Sequence, residues 1–197
     1  MKFEKILVTG SSGFLGSYVA ETLTSKGYKV VLFDRDPSPY KTDDQEEIVG
    51  DILNLEDVEK ATKGCSAVYH FAAQAGIEAS AEDPKLTLES NILGTQHLLQ
   101  VAVKNNVKRF MFASTIYVYS DLGSFYRVSK QACEKIIEEY QREFNLTYTV
   151  LRYGSLYGPR SDKTNGIYNL LFQAIKNKKI IRNGDGQELR EYIYVKE

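Results

Sequence analysis

At 197 residues, 43% hydrophobic and 26% charged, the chain has the composition of a globular protein with one core and room for a small second lobe. Its net charge of −1 gives no footprint for nucleic acid or an anionic membrane surface. Two cysteines, Cys65 and Cys133, make neither a disulfide framework nor a metal-ligand spacing and read as small buried hydrophobes. No apolar run approaches the roughly 20 residues of a membrane-spanning helix. "KILVTG" opens the chain without a signal-peptide layout. The expectation is a cytoplasmic protein with no nucleic-acid, membrane or metal partner.

In chain order, strand-like and helix-like runs alternate. "FEKILV" leads through glycine-rich punctuation to a helix over 14–26, where Leu15, Tyr18, Val19, Thr22 and Leu23 keep helical spacing and Gly27 caps. "KVVLF" reads as a buried parallel strand. "TDDQEE", at 42–47, reads as a solvated loop. A short helix over 55–63 ends at Gly64, and "AVYHFA" is the third strand. Pro84 suits the first turn of a long helix to about residue 106. "RFMFAS" is the fourth strand, 125–144 an amphipathic helix and "TYTVLR" the fifth strand. A helix over 165–177 and a final strand "EYIYV" complete the chain. Such alternation with short connections predicts an α/β fold, a parallel sheet covered on both faces.

"VTGSSGFLG" sets Gly10, Gly13 and Gly16 between the first strand and the first helix. Glycines there let the backbone approach a dinucleotide pyrophosphate, and the helix N-terminus offers free N–H groups and a positive dipole. Asp34 ends the second strand, where a carboxylate accepts hydrogen bonds from the adenosine ribose hydroxyls and repels a 2′-phosphate. NAD is therefore expected over NADP, with Arg35 next door as the group that would receive such a phosphate.

Two Tyr-x-x-x-Lys patterns occur, Tyr126 with Lys130 and Tyr192 with Lys196. On a helix, residues four apart share a face, so Tyr126 and Lys130 project into one space. Within a strand they would stand roughly 13 Å apart, which sets Tyr192 and Lys196 aside. A free tyrosine, with a pKa of about 10, is a poor base at neutral pH. The Lys130 ammonium and a nicotinamide cation are expected to lower it.

These residues resemble the extended short-chain dehydrogenase/reductases, specifically the NAD-dependent sugar-nucleotide epimerase/dehydratase family, over nearly the whole chain. "TGSSGFLG" is similar to its cofactor loop, "GDILN" to its adenine-contacting segment, and "HFAAQAG" to the loop over the cofactor. "NILGT" resembles its helix motif, "YRVSK" its catalytic pair, "LRYGSLYGPR" its sixth-strand signature, and "GDGQELREYIYV" the segment whose arginine grips a nucleotide-sugar phosphate. The resemblance implies a Rossmann-like doubly wound domain over 1–160 and a partial substrate lobe over 161–197. It implies cofactor contacts from Gly10, Ser12, Gly13, Phe14, Leu15, Gly16, Asp34, Arg35, Asp51, Ile52, Phe71, Ala72 and Ala73, with Lys130 on the nicotinamide ribose beside Tyr126. It further implies Thr115 as catalytic partner of Tyr126 and Lys130, and substrate contacts from Ser114, Thr115, Ser155 and Arg190. His70 and Asn91 read as structural, His70 at a strand end and Asn91 satisfying buried backbone groups.

In the family's dehydratases the residues after Thr115 include an Asp and a Glu that carry the protons of elimination; here Ile116 and Tyr117 stand in those places. Hydride chemistry remains. The implied reaction is epimerisation of a nucleoside-diphosphate sugar at C4; the alternatives are NAD(P)H-dependent reduction of a keto-sugar and a non-catalytic NAD-binding module. Family members often pair through two long helices, for which 84–106 and 125–144 are the homodimer candidates, although the sheet alone could fill the same apolar stripes. Three features depart from the family pattern. Ten residues connect Thr115 to Tyr126, Gly154 and Ser155 stand where Phe-Asn is common, and the sequence stops at "YIYVKE" where relatives continue.

Overall fold

Alternation along two central strands organises the molecule. In β1 (Lys5–Thr9) and β2 (Lys29–Asp34), Ile6, Val8, Val30 and Leu32 face one way and Leu7, Val31 and Phe33 the other. The first set packs on Ala20 and Leu23 of α1 (Phe14–Ser25). The second joins Val58, Leu98, Leu99, Phe110, Phe112 and Ile137 in the larger core. A sheet apolar on both faces needs helices on both faces, and the chain is Rossmann-like for that reason. The computed structural model describes residues 4–181, 185, 187 and 189–197; of the segment "GDGQELREYIYV", Gly184, Gly186 and Glu188 lie outside the described residues.

The remaining elements of the sheet and its helices are β3 (Gln45–Val49), α2 (Leu55–Thr62), β4 (Ala67–His70), α3 (Ile77–Glu82), α4 (Pro84–Leu88), α5 (Gly94–Lys104), β5 (Arg109–Thr115), α6 (Ser124–Phe144) and β6 (Tyr148–Tyr153). The strand order is β3-β2-β1-β4-β5-β6, with parallel pairing of β1 to β2 and β4, β2 to β3, and β4 to β5. The order reverses between β1 and β4, so the crevice beyond their carboxyl ends is the switch point at which such sheets bind ligands.

Two expectations need correction. The "TDDQEE" segment is not all loop, because Gln45 opens edge strand β3, in register with Val30. Edge strands tolerate outward charge. Gln45 turns inward to donate to Thr24 Oγ1 at 2.8 Å, and Glu46 pairs with Lys5 at 2.7 Å. The helix expected over 84–106 is broken into α4, a π-helical turn over Glu89–Leu93, and α5. The π turn buries Asn91. Gly94, just after it, leaves the space filled by Ile52, whose Cδ1 would lie 2.5 Å from a Cβ. The outer face of this run and Ile136 of α6 leave an apolar groove of about 370 Å³ lined by Leu88, Ile92 and Leu93. The sheet therefore does not use up the whole apolar stripe.

The chain divides into two compact units, Met1–Arg152 and Tyr153–Glu197. In the second, β7 (Ser155–Tyr157) pairs in parallel with β8 (Tyr192–Tyr194), and α7 (Gly166–Asn177) is capped by the Asn165 side chain. Lys196 falls in the turn after β8, and the Tyr192 ring packs edge-on against Tyr157. Among the described residues no helix is long and apolar enough to cross a membrane.

Candidate active site

The loops leaving β1, β2, β3, β4 and β5 carry most of the residues singled out in the sequence. Gly10 has φ +68°, and a Cβ there would lie 2.7 Å from Ala72 N and 2.8 Å from Phe71 C. Only glycine permits this approach, which packs the β1 loop on the Phe71–Ala72 backbone at the switch point. Gly16 lets α1 close on the loop, since its Cβ would meet Gly10 O at 2.0 Å. Asp34 accepts from Ser12 N at 2.9 Å and from Arg35 N at 2.8 Å, which ties the carboxylate to the glycine loop.

Gly13 caps α1 without a side-chain bond, so Phe14, Leu15 and Gly16 present the first N–H groups of the helix. Ser11 Oγ is buried in the same loop and has no partner among the described residues. An orphaned hydroxyl beside a helix N-terminus and a fixed carboxylate suits a phosphate–ribose group. The residues present therefore fit NAD. Asp51 accepts from Leu53 N at 2.9 Å and so shapes its own turn. Ile52 lies mostly in the core, while its carbonyl lies 3.0 Å from His97 Nδ1. Ala73 precedes Gln74, whose backbone is clamped by Asn91.

Tyr126 and Lys130 occupy one face of α6, with Lys130 Nζ 5.7 Å from the Tyr126 ring centre. Lys130 is buried, donates to Ala113 O at 2.8 Å and stands 4.6 Å from the Phe112 ring centre. Thr115 ends β5, and its hydroxyl accepts from Tyr117 N at 3.3 Å to start a 3₁₀ turn over Ile116–Tyr119. The pKa expectation is corrected here. Burial, and then Tyr117 nearby, push the Tyr126 phenol up to about 12. Burial also brings Lys130 down to about 8. In the chain itself burial and Tyr117 set the shift of Tyr126, and the Lys130 ammonium is hydrogen-bonded to Ala113 O.

The short connection from Thr115 to Tyr126 is held by side chains of α6. Gln131 donates to Val118 O at 2.9 Å and Arg127 to Ser120 O at 2.7 Å. Gly123 enters α6 at φ +102°, where a Cβ would lie 3.0 Å from Arg127 Cβ and 3.1 Å from Tyr117 Cβ. Arg152 reaches the connection too, bonding Tyr119 OH and lying 4.9 Å from that ring's centre.

Glu134 is the functional-site neighbour that sequence reasoning missed; Arg152, which the sequence suggests as a core-edge salt-bridge partner, is its partner. Glu134 accepts from Ser114 Oγ at 2.5 Å and from Arg152 Nη2 at 2.7 Å and Nε at 3.0 Å. The available signal was spacing, because Glu134 lies four residues after Lys130 on the same face. Burial would raise its carboxyl, but hydrogen bonds from Arg152 and Ser114 outweigh burial and hold it below the usual range. Arg152→Met removes two of those bonds and leaves a buried carboxylate. Urea denaturation at neutral pH should show a loss of about 3 kcal/mol; a loss below about 1 kcal/mol would mean that Glu134 needs no guanidinium.

Ser155 and Arg190 belong to the second unit. Ser155 N donates to Glu191 O at 2.8 Å, so β7 lies against the segment that carries exposed Arg190. Among the described residues no group of three or more His, Cys, Asp or Glu could hold a metal ion.

Known proteins share this fold. The model of the NAD dependent epimerase/dehydratase family matches residues 6–197, and the chain belongs to that family. It is 30% identical over 217 residues to a UDP-glucuronate 4-epimerase of Thermodesulfobacterium geofontis, covering 96% of this chain and 67% of that protein. The UDP-glucose 4-epimerase of Thermotoga maritima, solved with UDP-glucose, superposes with a TM-score of 0.90 at 30% identity, covering 98% of this chain and 70% of the other. That of Thermus thermophilus, solved with NAD, gives 0.88 at 30% identity, covering 97% and 70%.

Proposed function

We propose that the protein epimerises a nucleoside-diphosphate sugar at C4. The observation that carries this reading is the Tyr126–Lys130 face of α6, tied to the end of β5 by the Lys130 bond to Ala113 O, in a sheet whose switch point fits NAD. Ile116 and Tyr117 stand where elimination would need two carboxylates, which favours epimerisation over dehydration. Homologous epimerases, solved with UDP-glucose or with NAD, support the substrate class and the cofactor.

When bound, NAD supplies a reversible hydride acceptor at the sugar carbon. Gly10, Ser12, Gly13, Phe14, Leu15, Gly16, Asp34, Arg35, Asp51, Ile52, Phe71, Ala72 and Ala73 are its proposed contacts, with Lys130 on the ribose. Tyr126 takes the proton of the C4 hydroxyl and later returns it, with Thr115 hydrogen-bonding the same oxygen; Ser114, the neighbour that would substitute for Thr115, gives its proton to Glu134 instead. With its phenol up at about 12, Tyr126 holds its proton until added positive charge offsets the desolvation. Lys130, brought down to about 8, stays cationic at neutral pH and supplies part of that charge. For Ser155 and Arg190 the proposed role is a grip on the phosphates, to which a hydroxyl and a guanidinium are ordinary donors.

The test is incubation with substoichiometric NAD⁺ and a panel of UDP-, GDP- and dTDP-sugars, following sugar stereochemistry by NMR. A new C4 epimer without net NADH is expected. Conversion of a keto-sugar only with stoichiometric NADH would replace this reading with a reductase, and bound NAD⁺ without turnover would leave a binding module.

A further inference from the structure

A buried chain of hydrogen bonds joins the glycine loop to the helix that carries Tyr126. Ala72 N donates to Thr9 Oγ1 at 3.2 Å, and Thr9 Oγ1 lies 2.7 Å from His70 Nδ1. Across the ring, Nε2 lies 2.9 Å from Thr95 Oγ1, which donates to Asn91 O at 2.5 Å. A carbonyl only accepts, so Thr95 gives its single proton to Asn91 and must accept from Nε2. A neutral imidazole has one N–H, so Nδ1 accepts from Thr9, whose oxygen accepts from Ala72. A doubly protonated ring would strand the Thr9 proton in a fully buried place. Burial and the nearby Lys130 ammonium both oppose that charge.

From Asn91 the chain continues. Its Oδ1 accepts from Gln74 N at 2.7 Å, and its Nδ2 donates to Gln74 O at 3.1 Å and to Ser129 Oγ at 2.8 Å. Ser129 Oγ donates to Tyr126 O at 2.8 Å. The π turn swings Asn91 inward to make these bonds.

We propose that His70 is a positioning residue: as the neutral Nε2–H tautomer it couples the placement of the Gly10 and Ala72–Gln74 loops to that of Tyr126, through Thr95, Asn91 and Ser129. It leaves the chemistry to Tyr126 and acts by fixing where the cofactor loops and the base stand relative to each other. The kinetic part of this inference rests on Tyr126 being the base; the tautomer and the effect on NAD binding do not.

Long-range ¹H–¹⁵N correlation on the labelled wild-type protein should show a protonated Nε2 and a bare Nδ1 for His70 at pH 7; the opposite or an averaged pattern overturns the proposal. Thr95→Val keeps the shape of the side chain and removes its hydroxyl, whereas Thr95→Ser keeps the hydroxyl. By calorimetry the Val variant should bind NAD roughly three- to tenfold more weakly. Its kcat should fall by a similar factor at unchanged KM for the sugar nucleotide, while the Ser variant stays within about twofold of wild type in both. Equal impairment of the two variants, or a wild-type Val variant, overturns the coupling. If Tyr126 is not the base, turnover gives no signal, but the tautomer and the NAD difference still report.

Discussion

Tyr126→Phe is expected to lower turnover of a nucleoside-diphosphate sugar by roughly 10²- to 10⁴-fold while NAD affinity stays within about threefold of wild type. The substitution removes one oxygen and preserves the ring that packs beside Lys130 and Tyr117. A purely structural tyrosine would respond differently. Tyr126 N is already held by Ser80 Oγ at 3.2 Å and its carbonyl by Ser129, neither of which depends on the phenol oxygen. Stability should therefore change little while kcat collapses. Steady-state kinetics of the purified variant settle the matter, and a kcat within tenfold of wild type would remove Tyr126 from the mechanism.

The second large effect is acid sensitivity centred on His70. Its imidazole is brought from the usual 6.5 to about 3, by burial first and by Lys130 second. Between those two values the unfolded chain binds a proton that the folded chain refuses, so stability falls as pH falls through the window. At about 1.4 kcal/mol per pH unit, roughly 3 kcal/mol should be lost by pH 4 and ~5 kcal/mol at the bottom of the window. Glu134, held low by Arg152 and Ser114, loses its own contribution in the same direction as it protonates. The two are separated by His70→Gln, which keeps a donor for Thr95 and cannot titrate. Urea denaturation of both proteins from pH 7 to pH 4 should give curves that converge as pH falls. Curves that stay parallel would mean that His70 accepts its proton in the folded state.

The glycine loop, Asp34 and the Tyr126–Lys130 pair were legible in the sequence because the chemistry demands particular residue types at fixed local spacing. The central strands were legible because runs such as "KVVLF" are apolar on both faces. Edge strand β3 was hidden, since its burial comes from one Gln, one Ile and its pairing with β2. The π turn over Glu89–Leu93 depends on bonds from Asn91 to Gln74 and Ser129, 17 and 38 positions away, which no local pattern encodes. Glu134 and Arg152 form another such pair, 18 positions apart. The upward shift of Tyr126 was missed for a related reason. Lys130 four residues on could be foreseen, but the burial that raises Tyr126 arises only once α3 and the 116–119 turn pack around α6. The ten-residue connection from Thr115 to Tyr126 departs from the family pattern in the sequence; in the fold Arg127, Gln131 and Arg152 hold it by hydrogen bonds that no local spacing reveals.

The most direct test of the central claim follows the C4 hydrogen itself. A nucleoside-diphosphate sugar deuterated at C4 is incubated with the protein and substoichiometric NAD⁺, and the product is read by NMR and mass spectrometry. Epimerisation through Tyr126 returns the same hydrogen to the same carbon, so the new epimer should keep its deuterium at C4. Deuterium washed out into solvent, or an epimer that carries protium at C4, would contradict the account.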